Sequence, residues 1–274
     1  MPSSQTAIVT GAASGIGQAI TLGLLREGHA VAGVDREPAW LDDLAGAARG
    51  LPGRFVPIRA DLAEAGACDR AVDEATRELG RVDALVNNAG VGQGAVRPDQ
   101  RRNPIRFWEI TPEQWQRFVA VNATAPLMMA RAVAPRMLRA GKGRIVTVTT
   151  SLGTMIRGGY VLYGASKAAA EAAAAVMAAD LVGSGVTVNV LVPGGMTDTR
   201  IIPEAELADR SRLIRPEVMV PPLLWLISDA AAHVTARRFL AVHWDTSLPP
   251  EQAAEKCGAP IAWTSIGTMP IEPE

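Results

Sequence analysis

The sequence AIVTGAASGIG, residues 7–17, decides the fold of this chain. Residues 7–10 form a short apolar run that is typical of a β-strand, and an amphipathic helical pattern follows Gly17. Between them, Gly11, Gly15 and Gly17 let the backbone turn tightly and approach a pyrophosphate, whose charge the free N–H groups of a helix start can bind. The segment therefore predicts a strand, a glycine turn and a helix that together bind a dinucleotide.

A second β-prone run, residues 30–34, leads into Asp35, which lies 18 residues after Gly17. An acidic side chain at about this distance takes the ribose hydroxyls of the adenosine. Because its charge would repel a 2′-phosphate, the sequence favours NAD as the cofactor over NADP. Arg36 keeps NADP as an alternative, since a guanidinium there could partly accommodate that phosphate.

Strand and helix patterns alternate along the rest of the chain. Helical patterns separate further β-prone runs, which lie at residues 55–59, 82–86, 144–150, 186–192 and 239–242. This alternation predicts an α/β fold: one Rossmann-like, doubly wound parallel sheet of about seven strands flanked by helices, in a single domain over residues 1–274. In such a sheet the ligand binds at the carboxyl ends of the strands.

Composition and charge exclude several classes of protein. The chain is 48% hydrophobic and 20% charged, as globular proteins are, and has no apolar run of about 18 or more residues to span a membrane. A net charge of −1 argues against nucleic-acid binding. Its two cysteines, Cys68 and Cys257, and its three histidines fit no metal spacing, so we expect no metal site. The first residues show no signal-peptide pattern, so we expect no signal peptide and predict a cytoplasmic protein.

Tyr163 and Lys167 stand four residues apart in a helical pattern. Side chains at this spacing lie on one face of a helix, about 5–6 Å apart, so a phenol and an ammonium would share a site. A nearby cation favours phenolate and lowers the pKa of a tyrosine from about 10. The pair therefore predicts a general acid or base.

Three motifs in this order resemble the short-chain dehydrogenase/reductase family: Thr10-Gly11-x-x-x-Gly15-Ile16-Gly17, Asn87-Asn88-Ala89-Gly90 and Tyr163-x-x-x-Lys167. The resemblance covers roughly residues 5–200. The resemblance, which includes the glycine turn and the Pro193-Gly194 turn, implies a set of cofactor-binding residues. These are Gly11, Ser14, Gly15, Ile16, Gly17, Asp35, Arg36, Asp61, Leu62, Asn88, Ala89, Gly90, Tyr163, Lys167, Pro193, Gly194 and Thr199.

Two of these residues have competing interpretations. Asp61 follows a predicted strand and would either lie beside the adenine or cap the next helix, and capping is the commoner role for an aspartate before a helix. Thr199 competes with Thr197 for the contact to the nicotinamide amide that the family makes after its Pro-Gly turn. We favour Thr199.

The resemblance also implies the mechanism. A hydride moves between the nicotinamide and the carbinol carbon of the substrate, while Tyr163 takes or gives the hydroxyl proton. Lys167 would lower the pKa of Tyr163 and hold the nicotinamide ribose. Asn122 would kink its helix and hold a water that relays protons to the lysine.

Thr150 departs from the family pattern. The catalytic serine of the family usually precedes the tyrosine by thirteen positions, and Thr150 occupies that place, with Gly153 where a glycine is common. Threonine keeps the hydroxyl that orients the substrate oxygen, but its methyl group restricts χ1. Ser151 is the reserve candidate.

Three segments outside the motifs are expected to shape the substrate site. A long loop over about 92–110 carries four arginines, Arg97, Arg101, Arg102 and Arg106. They would bind a carboxylate or phosphate of the substrate, or the loop would be solvated or contact another subunit. Residues of about 198–216 would form a substrate lid. A C-terminal tail over about 243–274 would wrap a neighbouring subunit, cover the cleft or pack loosely.

The alanine-rich helix after Lys167 favours close helix packing, and so a homodimer or homotetramer. The sequence thus predicts an oxidoreductase that moves a hydride between NAD(H) and a secondary alcohol or ketone, with Tyr163 as general acid or base. One alternative is an NADP-dependent carbonyl or 3-ketoacyl reductase. The other is a non-catalytic dinucleotide-binding regulator or scaffold, which Thr150 permits.

Overall fold

The computed structural model describes residues 4–204 and 209–264. Strands from this part of the chain form one sheet, and β1 is the strand that the glycine turn follows. Their bounds are β1 (Thr6–Thr10), β2 (Ala30–Asp35), β3 (Phe55–Arg59), β4 (Ala84–Asn87), β5 (Gly143–Val148), β6 (Val186–Val192), β7 (Arg237–Leu240) and β8 (Gly258–Pro260).

The sheet has the order β3-β2-β1-β4-β5-β6-β7-β8. All neighbouring strands are parallel except β7 and β8, which pair antiparallel with Phe239 opposite Gly258. The predicted doubly wound parallel sheet is confirmed, and it has an eighth, antiparallel strand beyond the seven expected. The chain winds from β1 towards β3 and then returns to β4 on the other side, so the carboxyl ends of β1 and β4 diverge to open a cleft.

Helices cover both faces of the sheet. Their bounds are α1 (Gly15–Arg26), α2 (Pro38–Ala47), α3 (Ala67–Leu79), α4 (Pro112–Val119), α5 (Ala125–Ala140), α6 (Leu152–Met155), α7 (Val161–Asp180), α8 (Val220–Ile227) and α9 (Pro250–Cys257). Single 3₁₀ turns lie at Gln93–Ala95, Phe107–Glu109, Arg210–Arg212, Pro216–Met219, Asp229–Ala231 and Ala241–His243.

Two hydrophobic clusters form, one on each face of the sheet. Successive side chains of a strand point to opposite faces, so Ile8 joins the cluster under α3, α5 and α7 while Val9 joins the one under α1, α2 and α8. Both residues are fully buried. Strands that are covered on both faces have nearly continuous apolar sequences, and for this reason β1 and β6 could be predicted from the sequence.

The helical run Pro112–Ala140 combines α4, a π-helical turn at Ala120–Thr124 and α5. Thr111 caps α4 by accepting a hydrogen bond from Gln114 N at 3.2 Å. Among the described residues, this run alone is long and apolar enough to cross a membrane by length and composition. Met129, Val133 and Met137 of α5 are fully buried in the cluster beneath it, as in a core helix.

The C-terminal tail packs on its own sheet as far as it is described. Residues 243–264 contain α9 and β8, and Cys257, Ile261 and Ala262 are buried. Residues 265–274 lie outside the described part of the chain, as do residues 205–208 of the predicted lid.

Candidate active site

The glycine turn between β1 and α1 lies at the floor of a cleft with a cavity volume of about 470 Å³. Gly11 has φ of +61°, which favours glycine, and a Cβ added at Gly17 would lie 1.9 Å from the carbonyl oxygen of Gly11. Ser14, the residue before α1, makes no side-chain cap to the helix N-terminus. The free N–H groups at the N-terminus of α1 and the positive end of the helix dipole therefore suit an anion.

Asp35 ends β2 at the rim of this cleft and is 8% exposed. Its Oδ2 accepts a hydrogen bond from Ala13 N at 3.0 Å, and its Oδ1 accepts one from Arg36 N at 2.8 Å. The carboxylate is thus held by the backbone of the glycine turn and of its own strand end. Arg36 lines the same rim, with its Nε 3.5 Å from Glu37 Oε1.

Asp61 also lines the cleft but does not cap the following helix, so the capping we favoured is wrong. The helix α3 begins at Ala67, and Gly66 is its N-cap. Asp61 instead accepts from Ala63 N at 3.0 Å and pairs with Arg117, whose Nη2 lies 3.0 Å from Oδ2. Burial by itself would raise the pKa of Asp61, but these two partners outweigh it and lower the pKa.

Asn88 ties the end of β4 to the glycine turn. Its Nδ2 donates to the carbonyls of Thr10 at 3.0 Å and of Gly11 at 3.1 Å. The backbone N–H groups of Asn88 and Ala89 donate to Thr10 Oγ1, each at 3.0 Å. The second motif therefore fixes the geometry of the first.

Asn122 lies in the π-helical turn and is fully buried. Its Oδ1 accepts from Val91 N at 2.8 Å, and its Nδ2 donates to Val91 O and Ser166 Oγ, both at 3.0 Å. π-Turns inside helices are common at functional sites. Asn122 thus connects the segment that follows β4 to α7, the helix that carries Tyr163.

Tyr163 and Lys167 lie on α7, as the spacing predicted, but the predicted fall in the pKa of the phenol is wrong for this structure. Burial raises the pKa of Tyr163 to about 12, although a hydrogen bond with the Thr150 side chain lowers it. Burial likewise lowers the pKa of Lys167 to about 8. The Nζ of Lys167 donates to Val148 O at 2.9 Å, and withdrawal from water is the main cause of both shifts.

Thr150 and Ser151 differ in what their hydroxyls do. Ser151 caps α6: its Oγ accepts from Thr154 N at 3.2 Å and lies 2.7 Å from Thr154 Oγ1. The Thr150 side chain lies close enough to the Tyr163 phenol to lower the pKa of that phenol. The structure thus brings the hydroxyl of Thr150, rather than that of Ser151, to the phenol.

A second cavity, of about 250 Å³, opens beside Thr150 and Tyr163. Gln93 and Gln100 of the 92–110 loop form part of its wall and are 3% and 5% exposed. Gln93 Nε2 donates to Gly159 O at 2.6 Å, and Gln100 Nε2 donates to Tyr160 Oη at 2.9 Å. Neither glutamine could be predicted from the sequence, because glutamines in a loop follow no pattern.

The four loop arginines separate in space. Arg97 pairs with Glu109 at 3.4 Å within the loop, whereas Arg101 lines the second cavity and contacts Met196 Sδ at 2.8 Å. Arg102 and Arg106 line neither cavity. A further arginine that we did not predict, Arg157, also lines the second cavity.

The segment after β6 closes the cleft. Pro193 and Thr199 line both cavities, and Gly194 lines the second one. A Cβ added at Gly15 would lie 2.7 Å from Thr199 Cγ2, so Thr199 packs directly on the glycine turn. Thr197 is buried, and its hydroxyl donates to Gly195 O at 3.2 Å.

Most of the predicted cofactor residues surround the first cavity. Those that line it are Gly11, Ser14, Gly15, Ile16, Asp35, Arg36, Asp61, Leu62, Asn88, Ala89, Gly90, Tyr163, Lys167, Pro193 and Thr199. Among the other residues that line it are Trp40 and Arg117, which the sequence did not indicate, and Arg200 of the predicted lid segment. The Arg200 guanidinium lies 4.1 Å from the centre of the Trp40 ring, which links the lid segment to α2. No cluster of three or more His, Cys, Asp or Glu residues suited to a metal occurs in the described ranges.

Comparison with known proteins agrees with this geometry. The sequence pattern of the short chain dehydrogenase family matches residues 5–209. The chain is 31% identical over 238 residues to the 3-oxoacyl-[acyl-carrier-protein] reductase FabG of Thermotoga maritima, covering 84% of this chain and 93% of that protein. It is 32% identical over 266 residues to the 1-deoxy-11-beta-hydroxypentalenate dehydrogenase of Streptomyces exfoliatus, covering 92% and 94%.

A solved structure is similar as well. The 3-ketoacyl-(acyl-carrier-protein) reductase from Brucella melitensis, complexed with NADH, superposes with a TM-score of 0.73 at 26% identity. The match covers 84% of this chain and 93% of that one.

Proposed function

This chain belongs to the short-chain dehydrogenase/reductase family, and from that premise we propose that it is an NAD-dependent oxidoreductase that interconverts a secondary alcohol and its ketone. One observation carries the proposal: Tyr163 lines both cavities. A nucleotide in the larger cavity and a substrate in the smaller one would therefore meet at its phenol, beside the hydroxyl of Thr150.

The larger cavity suits a nicotinamide dinucleotide chemically. Its floor offers the uncapped N-terminus of α1 to a pyrophosphate, and a carboxylate, Asp35, to ribose hydroxyls. The turn has room for backbone approach only because Gly17 lacks a Cβ. When bound, the nicotinamide would supply the hydride donor or acceptor.

The side chains of the site would then donate or accept the proton of the substrate hydroxyl. With a pKa of about 12, the Tyr163 phenol keeps its proton at neutral pH and can give it to the oxygen of a ketone. In the reverse direction the phenol must lose that proton, and the Thr150 hydroxyl and Lys167 ammonium both favour phenolate. Thr150 would also orient the substrate oxygen.

We propose NAD over NADP because Asp35 fixes a negative charge at the ribose end of the cleft. The similar Brucella melitensis reductase was solved with NADH, which agrees with this preference. Arg36 and the reductase FabG of Thermotoga maritima support the second candidate, an NADP-dependent carbonyl or 3-ketoacyl reductase.

The substrate, we propose, carries an anionic group remote from its carbinol. Two arginines, Arg101 and Arg157, line the smaller cavity. The Arg157 guanidinium lies 5.1 Å from the centre of the Tyr160 ring, and Tyr160 in turn binds Gln100. The Streptomyces exfoliatus relative acts, by its name, on a pentalenate, which is a carboxylate.

The exposed residues of α5 and α7 support a homo-oligomer, either a dimer or a tetramer. Val176 of α7 is 61% exposed, and Leu138 of α5 is 47% exposed. Sedimentation velocity of the full chain would measure the state, and a monomer at micromolar concentration would contradict the proposal. The cytoplasm stays our predicted location.

Nicotinamide absorbance tests the proposed activity. The full chain is mixed with NAD or NADP and a panel of secondary alcohols, and with the reduced cofactors and the matching ketones. Each compound is offered both as a free carboxylate and as its methyl ester. We expect turnover with NAD(H) and the carboxylates. Tight cofactor binding without turnover on any compound would favour the non-catalytic regulator.

A further inference from the structure

A buried ion pair lies directly behind the candidate site. Glu171 of α7, one helical turn beyond Lys167, is fully buried, and Arg238 of β7 is 6% exposed. The Nε of Arg238 donates to Glu171 Oε1 at 2.8 Å. Neither residue lines the two cavities. Because burying two charges costs about as much as their attraction returns, stability alone is a poor reason for such a pair.

The remaining polar atoms of the pair hold the segment that leads to Thr150. Arg238 Nη2 donates to the carbonyl oxygen of Thr150 at 3.0 Å, and Thr149 Oγ1 donates to Glu171 Oε2 at 2.7 Å. Lys167 Nζ also donates to Val148 O. Buried charged side chains therefore form hydrogen bonds to three consecutive residues, 148–150. The strand β5 ends at Val148, and Thr149 N still donates to Leu191 O at 3.3 Å. The bonds from Glu171 and Arg238 therefore hold the segment where this backbone pairing with β6 stops.

The C-terminal segment joins the same carboxylate. Ala262, which follows β8, donates its N–H to Glu171 Oε1 at 3.2 Å. Glu171 therefore accepts from β7, from the end of β5 and from the C-terminal segment. These three parts of the chain meet at one buried side chain.

We propose that Glu171 and Arg238 are positioning residues, which hold the backbone of Thr150 so that its hydroxyl stays on the Tyr163 phenol. This inference rests on the proposed function, since it assigns the pair a role in the same site. The pair lines neither cavity, and it acts through the two residues that it holds, Thr149 and Thr150.

Fluorine NMR tests the proposal without a substrate. The chain has two tyrosines, so replacement of tyrosine by 3-fluorotyrosine gives two signals, and Tyr160→Phe assigns them. We expect Thr150→Ala to shift the Tyr163 signal and Glu171→Gln to shift it in the same direction by at least half as much. In the Thr150→Ala background, Glu171→Gln should add no further shift, because coupled residues are not additive.

A matched control separates positioning from general loss of stability. Arg144 is also a buried arginine, at the opposite end of β5, where it donates to Gly143 O at 2.9 Å. Arg144→Lys should lower the melting temperature yet leave the Tyr163 signal in place. If Glu171→Gln fails to fold, the double variant Glu171→Met/Arg238→Met removes both charges together, and the same shift is expected.

Two results would overturn the proposal: an unmoved Tyr163 signal in the Glu171 variants, or an equal added shift in the Thr150→Ala background. With any compound that the wild type turns over, Glu171→Gln should also lower kcat by about 10²-fold and leave the KM for the cofactor unchanged. If the wild type turns over none, the proposed function fails, whereas the fluorine signals still decide the positioning role.

Discussion

The two cavities of this protein are built differently. In the larger cavity, the proposed nucleotide cleft, backbone atoms position the side chains: Asp35 and Asn88 are held by N–H and C=O groups of the glycine turn. In the smaller cavity, the proposed substrate pocket, side chains from distant parts of the chain form the wall, as Gln100 and Tyr160 do. A backbone site needs particular residues at fixed spacings, whereas a side-chain site needs only that the fold bring its residues together.

Tyr163 is the residue that the two cavities share, and its loss should have the largest effect. Tyr163→Phe keeps the ring and removes the proton donor, so we expect turnover to fall by about 10²–10⁴-fold. The dissociation constant for NAD, measured by calorimetry, should change little. A variant that retained most of its turnover would show that another group moves the proton.

A substitution in the glycine turn would break the nucleotide cleft alone. Gly17→Ala places a Cβ 1.9 Å from Gly11 O, so the turn must shift. We expect it to abolish measurable NAD binding and to lower the free energy of unfolding by about 2–4 kcal/mol.

Gly46, within α2, is the matched control for this substitution, because a Cβ there meets nothing within 4 Å. Gly46→Ala should raise the free energy of unfolding by about 0.5–1 kcal/mol and leave NAD binding intact. Equal effects of the two substitutions would contradict the special role of the turn.

The buried groups between the cavities should give a pH signature in the absence of cofactor. Since the pKa of Lys167 is lowered from 10.5 to about 8 by folding, the unfolded chain binds more protons than the folded one between these values. The free energy of unfolding should therefore rise with pH from about 8, by about 3 kcal/mol in all. Tyr163 has the opposite sign: its pKa is raised from 10.0 to about 12, and stability falls in that range.

Urea titrations at several pH values measure this signature. Lys167→Met should remove the rise above pH 8, while Lys142→Met, which alters an exposed lysine, should leave it. A wild-type stability that is flat over this range would mean that Lys167 keeps its ordinary pKa.

Asp35 tests whether cofactor choice belongs to the nucleotide cleft. Asp35→Ser removes the charge that would repel a 2′-phosphate, so we expect the ratio of kcat/KM for NADP to that for NAD to rise tenfold or more (about 1.4 kcal/mol). Asp83→Ser is the control, because Asp83 accepts from Thr6 N at 2.9 Å, outside the cleft. It should lower stability and leave the ratio unchanged.

The smallest effect is expected in the substrate pocket. Arg157→Gln should lower kcat/KM for a carboxylate substrate by about tenfold and leave its methyl ester unaffected. Arg102→Gln alters an arginine of the loop that lines neither cavity, and it should change neither value. Equal losses for acid and ester after Arg157→Gln would mean that the pocket does not bind an anion there.

The same contrast explains what the sequence could predict. Local patterns predict the sheet, the glycine turn and the position of Asp35. An apolar strand run and the spacing of glycines can each be recognised within a few residues of sequence. β8 escaped notice because three residues ending in Pro260 have no strand pattern. Gln93 and Gln100 escaped because the fold alone brings their loop to Tyr160.

The chemistry of the buried groups was harder to predict than their position. The spacing placed Tyr163 and Lys167 on one helix, but not the burial that raises one pKa and lowers the other. Similarly, the sequence could not show that Arg117, far along the chain, would pair with Asp61. Desolvation and long-range ion pairs depend on the assembled structure.

The two edges of the sheet share a feature that bears on solubility. β3 and β8 are the outermost strands, and each contains a proline, Pro57 and Pro260. A proline offers no N–H group to an incoming strand, so neither edge presents an unbroken row of donors. A sheet of eight strands with such ends resists growth by edge-to-edge addition, and we expect concentrated protein to stay free of fibrils.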